Sequence, residues 1–303
     1  MSVFSTMVST QMLMFLYLLV GVVCAKTGML KDEGRAGMLS FLVGIVMPAS
    51  ILSAFAIGMD RSQLVAGAQA MIVSVSGCLL SWRLGCLLWR RHPAGRREVL
   101  IYSTMLPNIG NAGLPINQLV FGSVGVFYTS MTMLPSTIVS WTVGPAIYGA
   151  GGSPKTVARR VITNPNIVAV LAGFALALTG LRLPEVCCRA IDGLAAMAAP
   201  MSMALIGASL SEVDPRQVFR LDALGVCAVR LCIIPVLTFL ALTALRVEPT
   251  LCRVATVLFA MPVANYTAIQ AELYGGDHAF ASACVFLTTL LSLVTVPLVT
   301  LLF

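Results

Sequence analysis

Charge is scarce in this chain. Only 10% of its 303 residues are Asp, Glu, Lys or Arg, where a soluble domain carries roughly 25%. That deficit excludes an ordinary soluble protein. Histidine is nearly missing: His92 and His278 stand alone, both in connections, which leaves a catalytic metal without its commonest ligand. The chain also lacks a Gly-x-Ser-x-Gly elbow, a mid-span pair of carboxylates and a histidine cluster. An intramembrane enzyme needs one of these at matched depth, so no enzyme, cofactor or metal is expected. The nine cysteines lie in or beside apolar runs and read as buried, inert thiols. Cys187–Cys188 has no second pair to complete a metal site.

Apolar sequence is what the chain has in abundance. Hydrophobic residues make up 58% of it, in runs of about 20 residues, the length a helix needs to cross the hydrocarbon. The alternation expected of a membrane barrel is absent. The expectation is an all-α integral membrane protein with ten spans, at 8–25, 37–57, 64–88, 98–121, 126–149, 162–181, 187–210, 219–245, 252–274 and 279–302. The first run lacks the basic start and small-residue cleavage site of a signal peptide.

The net charge of +7 does not imply nucleic acid. With the N-terminus placed outside, Lys26, Lys31, Arg35, Arg90, Arg91, Arg96, Arg97, Lys155, Arg159, Arg160, Arg216 and Arg220 fall inside. Arg61, Arg182, Arg189, Arg246 and Arg253 fall outside, twelve against five. This is the positive-inside bias. It predicts a multi-pass protein of the inner membrane with both termini outside, and the lipid bilayer as its surroundings.

The two halves echo one another. Gly21, Thr27 and Gly28 recur at Gly173, Thr179 and Gly180, each 152 residues later, and the same offset carries Pro48 to Pro200 and Pro145 to Pro297. Phe121-Gly122 recurs at Tyr274-Gly275. Such self-similarity reads as duplication. It divides a single transporter unit, 1–303, into repeats 1–150 and 151–303. Five spans per unit invert the second copy, the architecture of many secondary transporters. A duplicated scaffold or a sensor that does not transport is the plainer alternative.

One stretch breaks the apolar pattern: "LPNIGNAGLPINQ", residues 106–118. Pro107, Gly110, Gly113 and Pro115 interrupt the fourth span, because proline removes a donor and clashes with the preceding turn. In lipid the freed backbone groups need partners, which confines such a break to a buried or wet site. Asn108, Asn111 and Asn117 supply amides for that purpose. The ninth span, "FAMPVANYTAIQAELYGG", carries Pro262 halfway along, followed by Asn265, Tyr266, Thr267 and Gln270. Two interrupted helices at corresponding places point to a transporter's binding site, and their half-helix N-termini favour anions.

These segments resemble the auxin efflux carrier family. Pro107-Asn108 through Gly113, Pro115 and Phe121-Gly122 is similar to that family's fourth span, and Met261-Pro262 through Tyr274-Gly275 to its ninth. "TNPNIVAVLAGFALALTGLRLP" (163–184) resembles its sixth and "APMSMALIGASL" (199–210) its seventh. The resemblance covers essentially the whole chain. It implies a fold like that of bile-acid sodium symporters and sodium/proton antiporters. Spans 1, 2, 6 and 7 would form a scaffold, and spans 3–5 and 8–10 a transport domain with broken helices 4 and 9 crossing. It also implies small carboxylate anions, such as malonate or malate, as substrates, and a homodimer. Two departures stand out. The long loop of many plant members is absent between Gly149 and Arg160, and the second proline of their ninth span is replaced by Thr267.

Arg230 lies about 15 Å deep in the eighth span, at 1.5 Å per residue from Arg220. A charge there is a functional hypothesis by default. It is either a counter-charge for substrate, or a structural arginine bound to carbonyls at a helix break or to a carboxylate such as Asp222 or Glu272. Arg83 is placed to snorkel to the inner surface, and Asp60, Asp192 and Glu272 sit near span ends. No residue pattern names a coupling proton or sodium ion. A cation-coupled transporter of another solute on the same fold is the rival reading.

Overall fold

The computed structural model describes residues 3–55, 61–149, 155, 158–159, 162–179, 183–211 and 220–303. Asp60, Arg160, Gly180, Arg182 and Arg216 lie outside these residues.

The described chain is helical, with no strand beyond one isolated bridge. In order, the helices are α1 (Val3–Lys26), α2 (Asp32–Phe55), α3 (Arg61–Leu88), α4 (Arg96–Met105), α5 (Ile109–Ile147), α6 (Pro165–Thr179), α7 (Glu185–Leu210), α8 (Leu221–Ala244), α9 (Pro249–Phe259), α10 (Tyr266–Tyr274) and α11 (His278–Val299). Among the described residues seven of these, α1, α2, α3, α5, α7, α8 and α11, are long and apolar enough to cross a membrane; α6 and α9 are shorter apolar helices.

α5 is not straight. Gly122 has φ 63° and ψ −148°, outside the helical region and open to glycine alone without strain. Asn117 Nδ2 donates to Thr129 Oγ1 at 2.9 Å. Twelve residues of continuous helix would hold those two about 18 Å apart. The chain therefore folds back at Gly122, and α5 is two limbs of a hairpin. This is where the sequence reading ends the fourth span and begins the fifth.

Three of the helix prolines leave the same mark, which Pro135, Pro145 and Pro297 do not share. Three π turns, Leu42–Val46, Ile109–Gly113 and Val229–Ile233, each end two residues before a proline: Pro48, Pro115 and Pro235. A proline lacks the N–H and crowds the carbonyl four residues back. Widening the preceding turn relieves that clash and keeps the helix going. Pro115 thus bends its helix without breaking it.

Packing follows small residues. α1 lies against α7 so closely that a Cβ on Gly21 would sit 1.9 Å from the Ala204 carbonyl oxygen, and one on Gly207 2.0 Å from that of Leu18. In lipid, close van der Waals approach of this kind holds helices together where hydrophobicity cannot. α2 packs on α6 and α7; α3 packs on α4 and α5; α8 packs on α9 and α11, and α11 on α10.

Candidate functional site

Two helices stop in the middle of the molecule. α4 ends at Met105 and α5 starts at Ile109; α9 ends at Phe259 and α10 starts at Tyr266. The extended residues between them meet. Pro107 and Val263 face each other in an antiparallel bridge. Asn108 N donates to the Pro262 carbonyl at 2.8 Å, and Ala264 N donates to the Leu106 carbonyl at 3.3 Å. Pro107 occupies the pair between these two bonds, where a missing N–H costs nothing. Each break therefore satisfies the other. Val263 N turns away and donates to Thr288 Oγ1 of α11 at 3.1 Å.

The break in the first helix is narrower than the 107–113 stretch that the sequence suggests. Only 106–108 leave the helical path, and Gly110 and Gly113 belong to the π turn that opens α5. Asn108 organises that turn. Its Oδ1 accepts from Asn111 N at 3.2 Å, and its carbonyl from Gly113 N at 2.9 Å. Its Nδ2 reaches Asn265 Oδ1 at 3.5 Å, joining the two breaks through side chains as well.

A cavity of about 450 Å³ lies against this crossing. That is within the range of small-molecule sites. From the breaks it is lined by Pro107, Asn108, Gly110, Asn111, Asn265 and Tyr266. The lining also includes residues that sequence reading passed over: Ser136, Thr137, Ser140 and Trp141 on the second limb of α5, and Asn164 and Asn166 at the start of α6. The α5 residues recur at the three- and four-residue spacing of one helix face, a signal present in the sequence. Tyr266 and Trp141 meet edge to face, ring centroids 6.1 Å apart. Among the described residues no charged side chain lines the cavity. A smaller cavity of about 60 Å³, lined by Arg35, Ser202 and Ser209 among others, shares Asn111 and Asn265 with the first. Those two amides stand between the spaces.

The remaining predicted residues sit elsewhere. Thr267 and Gln270 are fully buried on α10 and do not line the cavity. Pro262 is buried within the break, and Gly113 and Pro115 lie past the cavity along α5. Asn117 bonds across the Gly122 hairpin instead. Arg83 is exposed beside the Trp82 ring; Asp192, exposed seven residues into α7, accepts from Ser53 Oγ at 2.6 Å, and Glu272 is exposed near the end of α10.

Arg230 is fully buried in the π turn of α8. It pairs with no carboxylate among the described residues. Asp222 binds Arg96 at 3.1 Å and His92 at 3.5 Å, and Glu272 lies 4.0 Å from His278. The guanidinium donates to three carbonyls: Thr104 at 3.0 Å, Phe259 at 3.0 Å and Met261 at 3.2 Å. These close the C-terminal ends of α4 and α9. This is the arrangement of an arginine bound to carbonyls at a helix break, one of the alternatives open in the sequence.

Comparison with known proteins places the chain. The model of a family described as membrane transport protein matches residues 6–150 and 153–300. The chain belongs to that family. It is the auxin efflux carrier family that the segments above resemble. A relative from Rhizobium meliloti (strain 1021), named "Putative malonate transporter", is 28% identical over 219 residues, covering 69% of this chain and 68% of the relative. Another, from Methanothermobacter thermautotrophicus, named "Uncharacterized transporter", is 25% identical over 307 residues and covers 98% of both chains. This auxin efflux carrier family member is thus a multi-pass membrane protein of a transporter family, with an amide-lined cavity at its crossed breaks.

Proposed function

We propose that this protein carries small carboxylate anions, of the malonate or malate kind, across the inner membrane as a secondary active or facilitative transporter. The observation that carries the reading is the cavity at the crossing, faced from both breaks by Asn108, Asn111 and Asn265. Amide N–H groups donate to a carboxylate without bringing a charge of their own into the membrane. The first residues of α5 and α10 also line the cavity. Half-helix N-termini carry partial positive charge, which favours an anion there. The malonate name borne by one relative supports the substrate class.

We propose that the fold which carries out this transport is ten spans in two inverted repeats, 1–150 and 151–303. The α4–α5 break would be the fourth span and the α9–α10 break the ninth. The two stretches matched by the family model part at the same boundary. The packing of α1, α2, α6 and α7 on one another supports a scaffold against which the crossing moves. With the inside negative, export of an anion runs downhill by about 2.3 kcal/mol per charge per 100 mV. Import needs a coupled proton or sodium ion, or a steep concentration gradient.

The test is uptake of radiolabelled malonate, malate and lactate into proteoliposomes by the wild type, Asn111→Ala and Asn265→Ala. Saturable uptake of one acid, lost in both variants, supports the reading. Uptake that survives both variants places the substrate elsewhere, and uptake of a neutral solute that depends on sodium favours the rival.

A further inference from the structure

We propose that Arg230 sets the anion preference of the cavity from behind the crossing, by neutralising the C-terminal ends of α4 and α9. The inference rests on the carboxylate reading above and adds a selectivity-determining residue that touches no substrate.

Four half-helices end at the crossing. Two present N-termini and two present C-termini, with partial charges of about +0.5 and −0.5. The structure sorts them. Ile109, Gly110 and Asn111 at the start of α5, and Asn265 and Tyr266 at the start of α10, line the cavity. Thr104 in the last turn of α4, and Phe259 and Met261 at the end of α9, do not line it. Their carbonyls point instead at the Arg230 guanidinium. Left alone, two C-terminal ends would cancel the field of the two N-terminal ends a few ångströms away, since little in the interior screens them. One full positive charge shared between two half-charges offsets both. The cavity then experiences the positive ends with little opposition. The Phe259 ring, 5.9 Å from the guanidinium carbon, adds a face that tolerates the cation.

An arginine suits this role better than a lysine. Its planar fork reaches three acceptors on two helices at once. Its position one wall behind the site explains how a cavity without a charged side chain can still prefer an anion.

The experiment compares a charged substrate with a neutral isostere. In proteoliposomes, the KM for malonate and the inhibition constant of malonamide are measured for wild type, Arg230→Met and Arg230→Lys. Arg230→Met is expected to raise the malonate KM about tenfold while moving the malonamide constant less than about threefold. Arg230→Lys keeps the charge and is expected to keep the preference for malonate. Equal weakening of both ligands in Arg230→Met, or no change in either, overturns the inference, because a purely structural role does not distinguish charge. Should Arg230→Met fail to fold, loss of the malonate preference in Arg230→Lys overturns it. A wild type with no saturable carboxylate uptake overturns the transport reading itself, a separate result.

Discussion

The two faces of the crossing meet the same difficulty in opposite ways. Both must satisfy backbone groups that the breaks set free inside an apolar protein. The cavity face uses neutral amides: Asn108 caps α5, and Asn111 and Asn265 stay half-buried and open to a ligand. The back face uses a full charge, Arg230, wholly buried and spent on three carbonyls. The difference follows from which helix ends lie on each side. N-termini offer donors and need acceptors, which a side-chain oxygen or an anion provides. C-termini offer acceptors and need donors, and the guanidinium has five of them. A charge deep in a membrane protein is therefore no proof of a substrate contact; here it faces away from the cavity.

The comparison can be broken at the back face most severely. Arg230→Ala leaves three buried carbonyls without partners, at about 1–3 kcal/mol each. Thermal unfolding in detergent should show several kcal/mol lost, more than for any cavity variant. An unchanged melting temperature would refute this role of Arg230. On the cavity face, Asn111→Ala and Asn265→Ala each remove a donor to a charged ligand, worth about 1.5–3 kcal/mol. The KM for uptake should rise roughly tenfold to a hundredfold, with little change in melting temperature. Equal losses of stability on the two faces would erase the contrast between them.

A smaller effect is expected at Thr288→Val. It removes the acceptor of Val263 N, a single neutral bond, at about 1 kcal/mol. Its signature is faster amide exchange at residue 263 with uptake retained. Smallest is the cap at Glu248, in the connection before α9. Burial pushes its carboxyl up, but the Thr250 and Leu251 N–H groups outweigh that and hold it below its ordinary value. A depressed value means the cap stabilises at pH above the ordinary carboxylate range, about 4.3, and is lost as pH falls through the lower folded value. Glu248→Gln should remove that acid-side decline while costing about 1 kcal/mol or less near neutral pH.

Much of this arrangement is legible in the residues. Pro107 with Asn108, and Pro262 with Asn265 three residues on, pointed to both breaks, because backbone groups freed in lipid need polar partners. Phe121-Gly122 marked a span boundary, and the Gly122 backbone shows why only glycine turns there. Other features hide from a linear reading. The depth of Arg230 is countable, yet its partners are carbonyls of Thr104, Phe259 and Met261, and carbonyls carry no sequence signature. Thr267 and Gln270 lie on the same helix as Tyr266, but α10 turns them into the core while Tyr266 meets the cavity. Ser136, Thr137 and Ser140 show helical spacing in the sequence, but the spacing does not say what that face meets. The π turns ahead of Pro48, Pro115 and Pro235 are a backbone adjustment that proline invites but does not specify.

The most direct test is to see where a carboxylate sits. A crystal structure with bromomalonate, located by the anomalous signal of bromine, places the ligand without any assumption about transport. The account predicts one peak in the cavity between Asn111 and Asn265. A peak beside Arg230, with its bonds to Thr104, Phe259 and Met261 broken, would contradict it.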